Sequence, residues 1–218
     1  MSLTWKEAFE DKKFKIYLAA WVLGLVLFIF FLPYFLNTVI LYKQGMQIDD
    51  WSFKLLTPRN WSVPIFLFTI GAPTIFVLFN FKEPLVILTS IQCYVVVSFA
   101  RMMSIYLFTL EAPEGIIPLV DPFLAEVAYG GNEAFNKDLF FSGHASTLFL
   151  LFLLEKRVLL KRFFLMSTIL IGLLLVWQRV HYTIDILGAL VVAWLVFRGI
   201  AWLNLKTIIT RATSRLND

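Results

Sequence analysis

Six long apolar runs, separated by short polar stretches, set the pattern of this chain: residues 16–41, 63–81, 85–110, 139–154, 163–180 and 182–203. A helix that spans a bilayer needs roughly 20 apolar residues, so the pattern predicts an all-α polytopic membrane protein, a bundle of six transmembrane helices. The fourth run is short unless the pair Phe140–Phe141 at its start is included. Pro33 and Pro73 fall inside the first two runs, where a kink is tolerated if neighbouring groups satisfy the freed carbonyl. Tyr42, Trp51 and Trp61 sit near run ends, as interfacial anchors do. No internal repeat or low-complexity linker divides the chain, so residues 1–218 read as a single membrane domain.

Composition strengthens this reading. Hydrophobic residues make up 60% of the chain, aromatics 17%, and the mean hydropathy is +0.80, which excludes an ordinary soluble domain. The start MSLTWKEAFEDKKFK is polar, and the run after it exceeds the roughly 7–15 residues of a signal-peptide core, so the first run is expected to stay as a helix. The single Cys93 excludes an intrachain disulfide. A net charge of +4, with no basic stripe interleaved with aromatics, points to membrane flanks and not to nucleic acid.

Lysine and arginine then orient the spans. With the N-terminus in the cytoplasm, thirteen of the 19 fall on the cytoplasmic side, five on the other, and Arg101 inside the third run. The positive-inside rule favours that orientation, with both termini cytoplasmic. The chain has only two histidines. His144 begins the fourth run and His181 the sixth, and both runs enter from the non-cytoplasmic side. The charge count did not use them, yet it brings them to one face of the membrane.

An ionisable residue at such a depth is a functional candidate by default. His181 and Asp185 are four apart and share a helix face. A carboxylate beside an imidazole fixes its tautomer and raises its basicity, which suits a nucleophile or base. His144 follows Ser142 and Gly143 at a helix start, where backbone N–H groups favour an anion and the serine adds a hydroxyl donor. Two histidines facing an anion site suit phosphoryl transfer, one attacking phosphorus and the other protonating the leaving oxygen. Arg101, about nine residues or ~13 Å from its span end, could snorkel towards the site and hold phosphate oxygens. It could equally pair with a buried carboxylate or with backbone carbonyls. Asp138 could touch substrate or simply cap its helix. The His/Asp pair and second histidine could ligate zinc, but no third histidine or H-E-x-x-H stands with them. The acidic stretch holding Glu111, Glu114, Asp121, Glu126, Glu133 and Asp138 reads chiefly as a solvated face from which one carboxylate could reach the site.

D-L-F-F-S-G-H-A (138–145) and H-Y-T-I-D-I (181–186) resemble the two signature motifs of the sphingomyelin synthase family, within the wider type 2 phosphatidic acid phosphatase superfamily. The stretch 101–115, R-M-M-S-I-Y-L-F-T-L-E-A-P-E-G, resembles a segment that family places at the end of its third membrane helix. The resemblance implies that His181 is the nucleophile towards a glycerophospholipid diester, Asp185 its partner and His144 the acid and base. It implies a phosphohistidine intermediate, a ceramide or diacylglycerol-like acceptor, and a site on the non-cytoplasmic face, with no cofactor. Arg101, Ser142, Gly143, Asp138, Tyr106 and Glu114 become candidates for substrate binding. A homo-oligomer is left open, as are the head group, choline or ethanolamine, and the acceptor.

Departures bear on substrate. Asn136 and Lys137 stand where the family often carries Cys-Gly. The superfamily's phosphatases usually have K-x6-R-P, P-S-G-H and S-R-x5-H-x3-D. Here K-x6-R-P is missing, Phe141 replaces the proline and Leu175 stands six before His181. Those missing cations would hold a dianionic monoester, so their loss argues for a diester with one charge. Two alternatives stand beside the transferase. One is a lipid phosphatase or phospholipase C-like hydrolase of the same superfamily. The other is a transporter or lipid-binding scaffold using the His/Asp pair as a proton site, although no inverted repeat is visible.

Overall fold

The computed structural model describes residues 3–119 and 137–216, with side chains through residue 204. Helices build it: α1 (Trp5–Glu10), α2 (Lys12–Phe35), α3 (Ser62–Asn80), α4 (Pro84–Leu107), α5 (Gly143–Leu154), α6 (Val158–Trp177) and α7 (Thr183–Leu216). A π-helical turn (Leu36–Ile40) extends α2, and a 3-10 turn (Trp51–Lys54) lies in the following loop. Among the described residues there is no β-strand, only an isolated bridge between Met46 and Leu110. Asp121, Glu126 and Glu133 of the acidic stretch lie outside the described residues.

Among the described residues, five helical segments are long and apolar enough to cross a membrane: Lys12–Ile40, Ser62–Asn80, Pro84–Leu107, Val158–Trp177 and Thr183–Asn204. The sixth expected span is α5, which has 12 residues. At 1.5 Å per residue it is about 18 Å long, well short of a ~30 Å hydrocarbon core. The count of six full spans therefore gives way to five with one short apolar helix. The cause is local. Residues 138–142 are spent in a non-helical approach, and the Ser142 side chain accepts from the Ala145 N–H to start the helix late. α6 begins earlier than hydropathy suggests, because Lys161 and Arg162 occupy its first turns without breaking them; their long stems keep the cations at the interface.

α5 is short because it is central. It packs against α3, α4, α6 and α7, and Ala145, Leu148, Leu150 and Leu151 join Phe76, Cys93, Val97, Phe164, Ile171 and Ala193 in the main core. α2 sits outside this group, against α4, and most of its apolar surface is unburied. That is the disposition of a helix whose neighbour is lipid. Gly172 lets α6 and α7 approach, since a Cβ there would stand 2.9 Å from Ile186 Cγ2.

The end of α6 aims His181. Arg179 takes a positive φ of 60°, the left-handed conformation that closes many helices. The Val180 N–H bonds to the Leu175 carbonyl at 2.9 Å and the Arg179 N–H to Val176 at 3.0 Å, the paired bonds of a Schellman turn. Arginine lacks glycine's freedom at such a position. Its guanidinium is held in compensation, by the Glu114 carbonyl at 2.7 Å and the Phe53 carbonyl at 3.0 Å. Gln178 ties the same corner to α3 and to the loop at 117, accepting from the Trp61 N–H at 2.6 Å and donating to Ser62 Oγ at 3.0 Å and the Ile117 carbonyl at 3.1 Å.

Candidate functional site

His181 follows that turn directly and is 2% exposed, and Asp185, in the first turn of α7, is fully buried. Asp185 Oδ2 lies 3.2 Å from His181 Nδ1 and also accepts the Tyr182 N–H at 2.9 Å. With the Nδ1 proton directed at the carboxylate, Nε2 is the nitrogen left to act. Tyr182 is itself immobilised, fully buried, with its hydroxyl donating to the Glu111 carbonyl at 3.0 Å.

His144 is the second residue of α5. It lines, with His181, Gly143, Arg101 and Asp138, one end of a cavity of about 540 Å³. The Ser142 N–H donates to the Asp185 backbone carbonyl at 3.2 Å, which fastens the start of α5 to the first turn of α7. Two helix N-termini, each carrying one of the chain's two histidines, are thereby locked together. The rest of the cavity wall is mostly apolar, with Phe28 and Leu32 of α2, Phe76 and Val77 of α3, and Leu148, Leu151 and Leu154 of α5, alongside Ser90 and Ser98 of α4.

Arg101 holds the approach to α5. Its Nε donates to the Phe141 carbonyl at 2.8 Å, one terminal nitrogen to the Asp138 carbonyl at 3.2 Å, and the same nitrogen pairs with Asp138 Oδ1 at 2.7 Å. Irregular backbone at membrane depth needs such partners. Gly143 makes room for the guanidinium, since a Cβ there would stand 3.2 Å from Arg101 Nε. Arg101 therefore takes both structural roles open to it from sequence while still facing the cavity.

The other candidates separate. Ser142 is fully buried and its oxygen is used as a helix cap. Tyr106 is 46% exposed, with the Lys43 ammonium over its ring at 4.0 Å, and does not line the cavity. Glu114 is exposed and meets Arg179 through its backbone carbonyl. Glu111 is turned to Lys137 at 3.0 Å and to the Gly45 N–H at 2.9 Å. The Lys137 hydrogen bond holds its carboxyl below the ordinary range.

Asp50 escaped the sequence reading. It lies in the loop after the π-turn, is 7% exposed, and reaches α7 across 133 positions. Its Oδ2 accepts the Thr183 N–H at 2.6 Å, and its Oδ1 accepts the Thr183 hydroxyl at 3.1 Å and the Ser52 N–H at 3.0 Å. Burial pushes this carboxyl up, but the bonds from Thr183 and Ser52 outweigh it and hold the pKa below the usual value. The Asp-x-Ser spacing signals a local turn; nothing in it signals a partner at Thr183.

Neither a curated protein nor a solved structure matches the chain significantly. Residues 137–203, which carry His144, His181 and Asp185, do match the family model "PAP2 superfamily C-terminal", and that match supports the type 2 phosphatidic acid phosphatase superfamily for this region.

Proposed function

We propose that the protein is a lipid phosphotransferase of the sphingomyelin synthase type, moving phosphocholine or phosphoethanolamine from a glycerophospholipid to ceramide or a similar lipid alcohol. The observation that carries this is the cavity: two histidines, one backed by a buried carboxylate, in a chamber lined mainly by apolar side chains. His181 Nε2 attacks phosphorus, the bond from phosphorus to the diacylglycerol oxygen breaks, and His144 delivers the proton to that oxygen. The head group now sits on His181. His144 then takes the proton of the acceptor hydroxyl, whose oxygen attacks phosphorus while the phosphorus–nitrogen bond breaks. Asp185 stabilises the positive charge on the His181 ring as it attacks. His181 serves as nucleophile and His144 as acid and then base, so a metal is not required by these steps.

Two features favour a diester and an alcohol. Arg101 is already paired with Asp138, so that pair adds no net charge, which fits one negative charge better than two. The apolar wall disfavours water as acceptor and suits acyl chains. Hydrolysis through the same phosphohistidine is the second reading, because the superfamily match does not distinguish the two acceptors. The lysine and arginine distribution supports an orientation with both termini cytoplasmic, in which the site faces the non-cytoplasmic leaflet.

Purified protein in liposomes, given phosphatidylcholine or phosphatidylethanolamine labelled in the head group, with and without ceramide, tests the proposal. Transfer of label to ceramide by wild type and not by His181→Ala supports it and names the head group. Release of free phosphocholine or phosphoethanolamine alone replaces it with the hydrolase. Consumption of phosphatidic acid and of neither diester overturns the diester argument.

A further inference from the structure

We propose that Asp50 is a positioning residue for the His181–Asp185 pair, acting through Thr183 as the missing N-cap of α7. This rests on the phosphotransfer reading of that pair, which it deepens.

A helix start needs acceptors for its first N–H groups, commonly a Ser, Thr, Asp or Asn at the N-cap. The residue in that place before α7 is Tyr182, whose hydroxyl is committed to the Glu111 carbonyl. Asp185, three residues on, accepts the Tyr182 N–H with Oδ2, the same oxygen that faces His181 Nδ1. The reciprocal acceptor expected of a capping box is absent from Tyr182. Asp50 supplies an acceptor from another part of the chain, taking the Thr183 N–H at 2.6 Å and the Thr183 hydroxyl at 3.1 Å. The Ser52 hydroxyl adds a contact to Thr183 at 3.1 Å.

The first turn of α7 is thus pinned at Thr183 from outside, between the histidine and its carboxylate. Without Asp50 the Thr183 N–H loses its acceptor and that turn frays. Asp185 Oδ2 is then no longer held where one oxygen serves both Tyr182 and His181. Misplacement of a reacting group by about 1 Å costs on the order of 10²-fold in rate. Substrate binding, set by the cavity wall, is left alone.

Full-length protein in lipid nanodiscs tests this by kinetics and by NMR of ¹⁵N-labelled histidine. The chain has two histidines, so the spectrum is simple, and His144→Ala identifies the His181 signals. Asp50→Ala is expected to lower kcat by roughly 10- to 100-fold with KM within about twofold, and to broaden or shift the His181 Nδ1–H signal. Asp50→Asn, which keeps one acceptor oxygen, is expected to fall between Ala and wild type. An unchanged His181 signal with kcat near wild type overturns the proposal, as does a change confined to KM. If Asp50→Ala does not fold, Asp50→Asn and Thr183→Val carry the same test, each expected to perturb the His181 signal at an intact fold. A wild type that consumes no lipid phosphate ester would remove the functional reading, while the NMR comparison would still decide whether Asp50 orders the pair.

Discussion

The four-residue spacing of His181 and Asp185 suggests one helix face, but His181 lies two residues before α7, so the pair is brought together by the turn into that helix and not by helical periodicity. The carboxylate is shared between a ring nitrogen and a backbone N–H, and both residues are buried. Under the proposed mechanism, Asp185→Asn keeps the shape and loses the charge that steadies the ring. Its kcat is expected to drop on the order of 10²–10³-fold at an unchanged circular dichroism spectrum. Arg101 behaves differently. The Arg101–Asp138 pair is mostly buried, at 13% and 6% side-chain exposure, and the guanidinium also serves two carbonyls. Breaking a buried pair by removing one partner costs about 3–5 kcal/mol, so Arg101→Ala is expected to unfold at much lower temperature in a detergent melt. Arg101→Lys restores the charge but not the planar fork, and should recover only part of that loss. The sequence offered Arg101 as phosphate clamp or structural partner without a means to choose. Its distances to Phe141 and Asp138 favour the structural part.

At the scale of elements, the turns around the site carry its precision. Gly115 has φ +71°, and a Cβ there would stand 2.9 Å from an Arg179 nitrogen. Gly115→Ala is therefore expected to destabilise by about 1–2 kcal/mol, through left-handed strain and a displaced Arg179. Gly71, inside α3 with nothing within 4 Å, is the contrast. Gly71→Ala should be neutral or stabilising by up to ~1 kcal/mol; equal melting shifts for the two would defeat the argument. At the opposite end of the bundle, Glu155 caps α5 and is 1% exposed. It accepts from Asn80 at 2.9 Å and from the Lys156 and Arg157 N–H groups at 2.8 Å each, joining α3, α5 and α6. Burial raises this carboxyl, but those bonds and the Arg157 charge outweigh it and hold its pKa below the usual carboxylate value. A carboxyl with a depressed folded pKa stabilises above its unfolded pKa, near 4.3, and loses that contribution as pH falls through the folded value. The melting temperature of wild type should therefore decline below about pH 4–5, and that of Glu155→Gln, lower at neutral pH, should decline less.

At the scale of the molecule, orientation is the claim with the widest consequences, since it decides which leaflet supplies the lipid. Cys93 is fully buried and gives a silent background for thiol labelling. Asp49 and Lys82 are exposed in loops at opposite ends of α3. In right-side-out vesicles, an impermeant maleimide should label Asp49→Cys and spare Lys82→Cys. The opposite result would invert the topology and move the site to the cytoplasmic leaflet. Apolar run lengths foretold the long helices well, because a bilayer demands continuous hydrophobicity from every residue that faces it. They misjudged α5, because a helix surrounded by protein owes its length to packing and to its cap.

The sequence by itself determined that this is a helical membrane chain, that its charges divide unequally between two sides, and that both histidines begin apolar segments. Those are properties of composition and period, and each residue carries its share independently of distant ones. Tertiary structure decided the rest. It joined the Ser142 N–H to Asp185, turned Arg101 onto the carbonyls before α5, removed Tyr106 and Glu114 from the cavity, and brought Asp50 to Thr183. The physical reason is common to the three contacts made by Ser142, Arg101 and Asp50. Buried polar groups need partners, and which partner each receives depends on where segments 40 to 130 residues apart come to lie, which local hydropathy does not encode.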